Sequence, residues 1–202
     1  MMNDKETEYP IENLEKFMNL LHEVERVKRV ARRPNEKEVT NTAEHTFELA
    51  LLCWYIVSVQ KLNLNLEKVL KYALAHDIIE AYAGDTPIHD EEAKMTKATR
   101  EAAALAQIEH EFSEFTDLLL TIHEYERRDN PESQFVYATD KLVDPINISM
   151  EKTQSMWKEY NISWDTLIKN KTEKIALSTV IQTYWNQLIK KLESRKSFFF
   201  DS

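Results

Sequence analysis

The sequence contains very little glycine. Gly84 is the one glycine among 202 residues, whereas a typical soluble chain of this length contains about 14. A P-loop and a dinucleotide-binding fingerprint both need several glycines for close approach of the backbone to phosphate, so both are excluded. A fold rich in tight β-turns is disfavoured because such turns need residues with positive φ. We therefore expect an all-α protein.

Cysteine is equally scarce, and basic residues are fewer than acidic ones. Cys53 is the single cysteine and has no internal disulfide partner, which is typical of proteins in the reducing cytoplasm. Lysine and arginine total 26 against 35 acidic residues, which gives a formal net charge of −9. Because phosphate contacts require a basic surface, we expect no nucleic-acid partner. The basic run from Arg26 to Arg33 is either a solvated helix end or a phosphate contact.

Long hydrophobic runs are absent as well. The longest apolar run, LALLCWYIV, is about half of the ~20 residues that a membrane span requires. The first ten residues, MMNDKETEYP, are polar and acidic, which argues against a signal peptide. We therefore expect a cytoplasmic protein with no membrane partner.

Apolar residues recur at helical spacing along most of the chain. The pattern predicts about seven to nine helices in a single domain over residues 1–202. Most of the chemically informative residues lie at about 11–155, and a helical extension follows at about 156–195. Pro34 is expected to end or bend the first helix, and Asn41 with Glu44 is expected to cap the second. A third helix is expected at about 66–83. Further helical patterns run from about 90 to 128, from about 132 to 153, and from Ser163 to about 194. The tail SRKSFFFDS (194–202) is expected to be loose or, at Phe198–Phe200, to contact a partner subunit.

Two of the six histidines occupy unusual positions. His45 lies on an apolar helix face, and His76 is followed at once by Asp77 inside the apolar segment VLKYALAHDIIEAYA. A buried aspartate is costly unless it is paired or coordinates a metal. Asp140 raises the same question in QFVYATDKLVDPINI. The remaining four histidines are expected to be ordinary surface residues, namely His22, His89, His110 and His123.

Two histidines and two aspartates on three helices are consistent with a shared divalent cation. Mixed imidazole and carboxylate ligands suit a first-row transition ion. Glu80 lies one helical turn beyond the His76–Asp77 pair, where a carboxylate is well placed to activate water. Asp85 follows the glycine in a turn, a common position for aspartate. Asp144 lies one turn beyond Asp140 and is either a supporting residue or a substitute ligand.

Three motifs carry a family resemblance. TAEH (42–45), HDIIEAYAGD (76–85) and ATD (138–140) resemble the HD-domain metal-dependent phosphohydrolase superfamily. Within it the chain looks like the bacterial 5′-deoxyribonucleotidases and related HD-domain hydrolases. The resemblance implies an HD-domain helical bundle and a homodimer. It also implies one divalent ion (Mn²⁺, Co²⁺, Fe²⁺, Mg²⁺ or Zn²⁺) held by His45, His76, Asp77 and Asp140, with Glu80 and Asp85 acting on water and phosphate and Arg29 contacting the phosphate.

The expected activity is removal of phosphate from nucleoside 5′-monophosphates, with deoxynucleotides favoured. Arg29 is the nearest match to the arginine of that branch, but the tryptophan that usually follows it is missing, so Arg32 and Arg33 are also candidates. An alarmone-type hydrolase is a second possibility, although Ala81 stands where such enzymes have another acidic residue. A di-iron oxygenase is a third possibility, and a non-enzymatic metal-bound interaction domain is a fourth.

Overall fold

Helices form nearly all of the regular structure in this computed structural model, which describes residues 10–87, 89–152 and 156–200. The predicted all-α class is confirmed. In chain order the elements are α1 (Ile11–Arg26), β1 (Lys28–Arg32), β2 (Val39–Asn41), α2 (Thr42–Val59), α3 (Leu66–Ala75), α4 (Glu80–Ala83), α5 (Glu91–Glu111), α6 (Thr116–Arg127), α7 (Pro131–Met150), α8 (Met156–Glu159), α9 (Trp164–Ile175), α10 (Thr179–Glu193) and a 3₁₀ turn at Lys196–Phe198. None of the helices described is long and apolar enough to cross a membrane.

The first helix is shorter than predicted. It ends at Arg26 rather than near Pro34, and the basic segment after it forms β1. β1 pairs antiparallel with β2, and the chain reverses between them at Pro34 and Asn35, which has a φ of 65°. Proline favours an extended residue before it, and asparagine tolerates the left-handed region. The hairpin takes the place of further helical turns and presents alternate side chains of β1 to opposite sides.

The central core joins the C-terminal helices to the motif-bearing ones. Buried side chains of α2, α3 and α7 pack in one cluster with those of α9 and α10. Fully buried members include Leu49 on α2, Leu142 on α7, Leu167 on α9 and Trp185 on α10. A second cluster joins α1 to α5 and α6. The last third of the chain therefore shares a core with the helices that carry the motifs.

Helix α3 breaks at the His76–Asp77 pair. A single helix over 66–83 was predicted, but α3 ends at Ala75 and α4 begins only at Glu80. The amide of Glu80 donates to the carbonyl of Asp77 at 2.9 Å, and neighbouring amides also bond three residues back. In such a 3₁₀ turn, side chains three residues apart lie almost directly above one another. The tighter turn therefore sets Asp77 and Glu80 on the same side.

Several predicted helix boundaries are confirmed. Asn41 and Glu44 form a reciprocal capping box at the start of α2. Gly84 ends α4 with a φ of 71° and a ψ of 157°, a conformation that side chains disfavour. Ser163 caps α9 through its hydroxyl. The last helical region is not continuous, however, because α9 ends at Ile175 and α10 begins at Thr179.

The C-terminal tail is packed against its own chain. Phe199 is 1% exposed, and its ring lies edge-on to Trp157 and Trp164 at centroid distances of 5.2 and 5.4 Å. The amide of Phe200 donates to the carbonyl of Ile162 at 3.1 Å. The expectation of a loose tail is therefore wrong, because an aromatic slot beside α8 and α9 buries the middle phenylalanine. Phe200 is 41% exposed.

Substitution at the tail distinguishes a docked from a loose segment. We expect Phe199→Ala to lower the free energy of unfolding by about 3 kcal/mol, because a buried aromatic ring is removed from a closed slot. Phe200→Ala is the matched control and should change it by less than about 1 kcal/mol, since this ring is partly in solvent. Urea denaturation followed by circular dichroism measures both. Equal small effects would contradict the docked tail.

Candidate functional site

Three separate elements bring two histidines and an aspartate together. His45 projects from the first turn of α2, His76 from the end of α3 and Asp140 from the middle of α7. One ring nitrogen of each histidine and one Asp140 oxygen lie within 4.8 Å of one another, and all three residues are buried. The His45 Nε2 to Asp140 Oδ1 distance is 3.0 Å. Such a group of nitrogen and oxygen donors is suited to a divalent cation.

The hydrogen bonding of His76 leaves one nitrogen free to act as a ligand. Its Nδ1 is 2.8 Å from the carbonyl oxygen of Ala73, which can only accept, so Nδ1 must be the donor. In the neutral ring Nε2 then carries the lone pair, and this buried atom faces Asp77 Oδ2 at 2.8 Å. Metal-binding histidines commonly show this arrangement, in which a backbone carbonyl fixes the tautomer.

Asp77 is the fourth member of the cluster. Its Oδ2 lies 2.8 Å from His76 Nε2 and 4.0 Å from His45 Nε2. A carboxylate oxygen facing an imidazole lone pair is unfavourable unless a cation, either a proton or a metal ion, lies between them. The residues present therefore fit a divalent metal ion held by His45, His76, Asp77 and Asp140.

Arg29 connects this cluster to further carboxylates. Its guanidinium donates to Asp77 Oδ2 at 3.1 Å and lies 4.0 Å from Asp144 Oδ2. Burial alone would lower the pKa of Arg29, but Asp144, Asp77 and other nearby carboxylates outweigh it and raise the pKa. Arg29 therefore stays charged although its side chain is only 12% exposed.

The two other predicted carboxylates lie on the same side. Glu80 accepts a hydrogen bond from the Thr42 hydroxyl at 2.8 Å. Burial and the nearby charge of Asp77 together raise the pKa of Glu80 to about 8. Burial likewise raises the pKa of Asp85, against the lowering effect of Arg29. Both carboxyl groups are therefore weaker acids here than in water.

Arg29 and the carboxylates of Asp77, Glu80, Asp85 and Asp140 line one large cavity. Its volume is about 530 Å³, within the range of small-molecule sites. Its lining also includes Lys97 of α5, Trp157 of α8, Tyr160 directly after α8, and Lys171 and Lys174 of α9. The cavity thus joins a metal-compatible cluster to a wall that the sequence motifs do not include.

The other candidate residues lie outside the cluster. Arg32 pairs with Glu159 at 2.5 Å and Arg33 with Glu44 at 3.0 Å, and neither lines the cavity. Cys53 is buried, as expected of an inert thiol. The four histidines that were predicted to be surface residues are exposed, namely His22, His89, His110 and His123.

Several residues in or beside the cavity were missed from the sequence. Thr42 lies inside the TAEH motif, yet a threonine at a helix start has an ordinary capping explanation. Lys141 donates to Asp140, and its position directly after that aspartate was the available signal. Lys171 and Lys174 gave no signal, because lysines on an amphipathic helix usually face solvent.

Comparison with known families places the chain. The sequence profile of a protein family described as HD domain matches residues 23–182, which is most of the chain and includes all four residues of the cluster. The chain belongs to the HD-domain family. The profile extends to Gln182, so it covers α9 and the start of α10 in addition to the motif-bearing helices.

Two curated relatives of this HD-domain chain are named as nucleotidases. The 5′-deoxynucleotidase HDDC2 of Danio rerio is 28% identical over 137 residues, which cover 65% of this chain and 66% of the relative. The 5′-deoxynucleotidase hdd1 of Schizosaccharomyces pombe is 29% identical over 109 residues, covering 50% and 52%. The match therefore spans slightly less than two thirds of the first relative and about half of the second.

Solved structures confirm the HD-domain fold. A protein of Magnetospirillum magnetotacticum MS-1, described as a predicted metal-dependent phosphohydrolase, superposes with a TM-score of 0.77 at 22% identity over 94% of this chain and 99% of that one. The PH0347 protein of Pyrococcus horikoshii OT3 gives a TM-score of 0.59 at 21% identity over 88% and 97%. At these identities the likeness concerns the fold alone.

Metal binding by the cluster is measurable as thermal stabilisation. We expect Mn²⁺ or Co²⁺ at about 100 times its dissociation constant to stabilise metal-free protein by about 2.7 kcal/mol, equivalent to about 5–10 °C in Tm. His76→Ala removes the free Nε2 and should abolish this shift. His123→Ala alters an exposed histidine and should retain it. A shift that survives in His76→Ala would contradict the proposed ligand set.

Proposed function

We propose that this HD-domain protein is a divalent-metal-dependent phosphohydrolase that removes phosphate from nucleoside 5′-monophosphates, with deoxynucleotides favoured. The observation that supports this most directly is the His-Asp cluster whose Asp77 and Asp140 line a cavity of about 530 Å³, with the Arg29 guanidinium next to Asp77. Two curated relatives named as 5′-deoxynucleotidases give the substrate class.

The metal ion would be held by His45, His76, Asp77 and Asp140. When bound, a divalent cation there neutralises phosphate charge and lowers the pKa values of water and of nearby carboxylates. The donor set accepts Mn²⁺, Co²⁺, Fe²⁺, Mg²⁺ or Zn²⁺, and availability selects among such ions in cells. The carbonyl of Ala73 orients the His76 ring through Nδ1, which keeps Nε2 directed at the cluster.

Glu80 and Arg29 have complementary roles in this proposal. Glu80, ionised in the loaded site, takes the proton from the attacking water, and the Thr42 hydroxyl fixes the orientation of its carboxylate. Arg29 donates to non-bridging oxygens of the phosphate and offsets the charge that develops on them. Water oxygen bonds to phosphorus as the bond to the nucleoside 5′-oxygen breaks, and that oxygen leaves with a proton.

Asp85 has a supporting role beside these two groups. It follows Gly84, whose left-handed φ turns the chain sharply at the end of α4. The Asp85 side chain lines the cavity close enough to Arg29 for each to shift the pKa of the other. We propose that Asp85 positions the nucleophile and the phosphate group.

Three further activities that the motifs allow have less support. Di-iron chemistry requires additional histidine and aspartate ligands. The four remaining histidines are exposed, and none of them joins the cluster in the part of the chain that the structure describes. An alarmone-type hydrolase has a second acidic residue directly after the one that Glu80 matches, and this chain has Ala81 there. A purely structural metal site does not explain the cavity beside the cluster.

We further propose that the chain acts in the cytoplasm as a single HD domain and as a homodimer. The shared core of α7, α9 and α10 supports one domain, and the lone buried Cys53 suits a reducing compartment. Helix α2 is apolar on both faces. Its outer face exposes Phe47, Leu51, Trp54 and Tyr55 at helical spacing, each between 47% and 65% exposed. A helix that is apolar all round is normally covered on both sides, so a second copy is the proposed cover.

Phosphate release tests the proposed activity. A panel of ribo- and deoxyribonucleoside 5′-monophosphates is incubated with metal-free protein and then with each candidate ion. We expect release only with metal, and higher kcat/KM for the deoxy forms. The double variant His76→Ala/Asp77→Ala should show no release, because two ligands are lost. Absence of release with every ion, from wild-type protein shown to bind metal, would overturn the proposal.

Glu80→Gln separates chemistry from metal binding in the same assay. The amide keeps the size of the side chain but does not accept a proton, so kcat should fall by about 10²–10⁴-fold. Because Glu80 is not assigned as a ligand, the metal-induced Tm shift should persist. A variant that kept full activity would exclude Glu80 as the base.

The dimer is tested at the outer face of α2. We expect Trp54→Glu to convert a dimer to a monomer in analytical ultracentrifugation, because the charge would be buried at the interface. Leu120→Glu, at a 63% exposed position on α6, is the control and should remain dimeric. A monomeric wild-type protein at micromolar concentration would contradict the assignment.

A further inference from the structure

One wall of the cavity collects lysines in a chain that is acidic overall. The cavity is lined by five lysines as well as Arg29, although the formal net charge of the chain is −9. Helix α5 supplies Lys94 and Lys97, α7 supplies Lys141, and α9 supplies Lys171 and Lys174. Carboxylates line the same cavity, namely Asp77, Glu80, Asp85, Asp140 and Asp144. Because like charges repel one another in a partly enclosed site, an anion is called for where a lysine has no carboxylate close to it.

Two of these lysines lack close carboxylate partners. Lys94 pairs with Glu91 at 2.7 Å, Lys97 pairs with Glu101 at 3.2 Å, and Lys141 donates to Asp140. Lys171, by contrast, has only Asp144 at 4.0 Å, although its side chain is 12% exposed. For Lys174, no described carboxylate lies within 4.0 Å. Lys171 therefore has one carboxylate partner at the limit of an ion pair, and Lys174 has none among the residues described.

The pKa values of the two α9 lysines are lowered, in agreement with the scarcity of carboxylates close to them. Burial, together with the charges of Lys141, Lys171 and Lys97, lowers the pKa of Lys174 to about 8. Burial also lowers the pKa of Lys171, with Lys141 and Arg29 contributing against Asp144. Bringing a negative group to this wall would relieve both the repulsion and part of the cost of burial.

The cavity offers these cations in addition to Arg29. Lys174 lies three residues beyond Lys171 on α9, which is about 4.5 Å along the helix axis, and both side chains line the cavity. Lys97 of α5 and Arg29 line the same cavity. The cavity lining therefore holds cations on α9 and α5 besides the guanidinium next to the cluster.

We propose that Lys97, Lys171 and Lys174 form a second anion subsite, and that the preferred substrate is a nucleotide with a second phosphate in addition to the one removed. This inference rests on the proposed phosphohydrolase function and extends its substrate class from nucleoside 5′-monophosphates to nucleotides with a second phosphate. The first phosphate lies at Arg29, and the second contacts the two lysines of α9 and the one of α5. Ammonium groups bind phosphate oxygens through charge-assisted hydrogen bonds, which are stronger than neutral ones.

Two kinds of nucleotide have the required chemistry. In a nucleoside 5′-diphosphate the second phosphate is joined to the first, whereas in a 3′,5′-bisphosphate it lies on the other side of the sugar. The feature that both nucleotides share is a second phosphate that can contact Lys171 and Lys174 of α9. The assay includes 2′-deoxyadenosine 5′-monophosphate, 5′-diphosphate and 3′,5′-bisphosphate, so that it distinguishes the two arrangements.

The test compares selectivity between variants. For wild-type protein we expect kcat/KM for at least one doubly phosphorylated nucleotide to exceed that for the monophosphate by about tenfold, corresponding to one well-placed charge-assisted contact. In Lys97→Gln/Lys174→Gln this ratio should fall to near one, because glutamine keeps much of the length and the helix propensity but not the charge. Lys169→Gln lies on the same helix, is exposed and does not line the cavity, so it should keep the wild-type ratio.

A binding measurement separates this inference from the activity. Calorimetric titration with inorganic pyrophosphate should give an affinity for wild type and Lys169→Gln that exceeds that of Lys97→Gln/Lys174→Gln by about tenfold. Release from no nucleotide, together with this difference, would overturn the phosphohydrolase function but support the anion subsite. A wild-type ratio near one, or equal ratios and pyrophosphate affinities in the lysine variants and Lys169→Gln, would overturn the subsite while leaving the monophosphatase intact.

Discussion

Burial of negative charge is the constraint on which the rest of this structure depends. Asp77, Asp140 and Glu80 all lie within the packed helices, where an unpaired carboxylate is expensive. Two responses are visible. Arg29 and Lys141 supply fixed positive charge, and the pKa of Asp140 falls well below its usual range because Lys141, His45 and His76 overcome the effect of burial. Glu80 responds in the opposite way, since its pKa is raised.

The fold meets this constraint by joining distant segments at one point. The β1–β2 hairpin brings Arg29 to the carboxylates, α2 contributes His45 from its first turn, and α7 contributes Asp140. The 3₁₀ turn after α3 places Asp77 and Glu80 on one side. Each of these groups is held by backbone geometry or by a packed helix, so little rearrangement is needed before a cation or phosphate binds.

Features that depend on neighbouring residues could be predicted from the sequence, whereas features that depend on contacts between distant segments could not. Local signals identified the Asn41 capping box and the stop at Gly84, because both depend on residues within one turn. An aspartate beside a histidine in an apolar segment was enough to single out Asp77. The hairpin at Arg29 was missed because its strands pair only once the chain has reversed. The lysines of α9 were missed because their cavity exists only after α5, α7 and α9 have packed together.

The origin of the cavity walls has a consequence for how such proteins diversify. The cluster and Arg29 come from segments between residues 29 and 140, whereas two of the cavity lysines come from α9 alone. Leu167 and Ile175 of α9 are buried in the common core, but Lys171 and Lys174 lie on its cavity side. Under the proposed function, point changes on that one surface would alter which anion is recognised while the four cluster residues stay in place. In evolutionary terms, the proposed selectivity and the proposed chemistry reside on different segments of the chain.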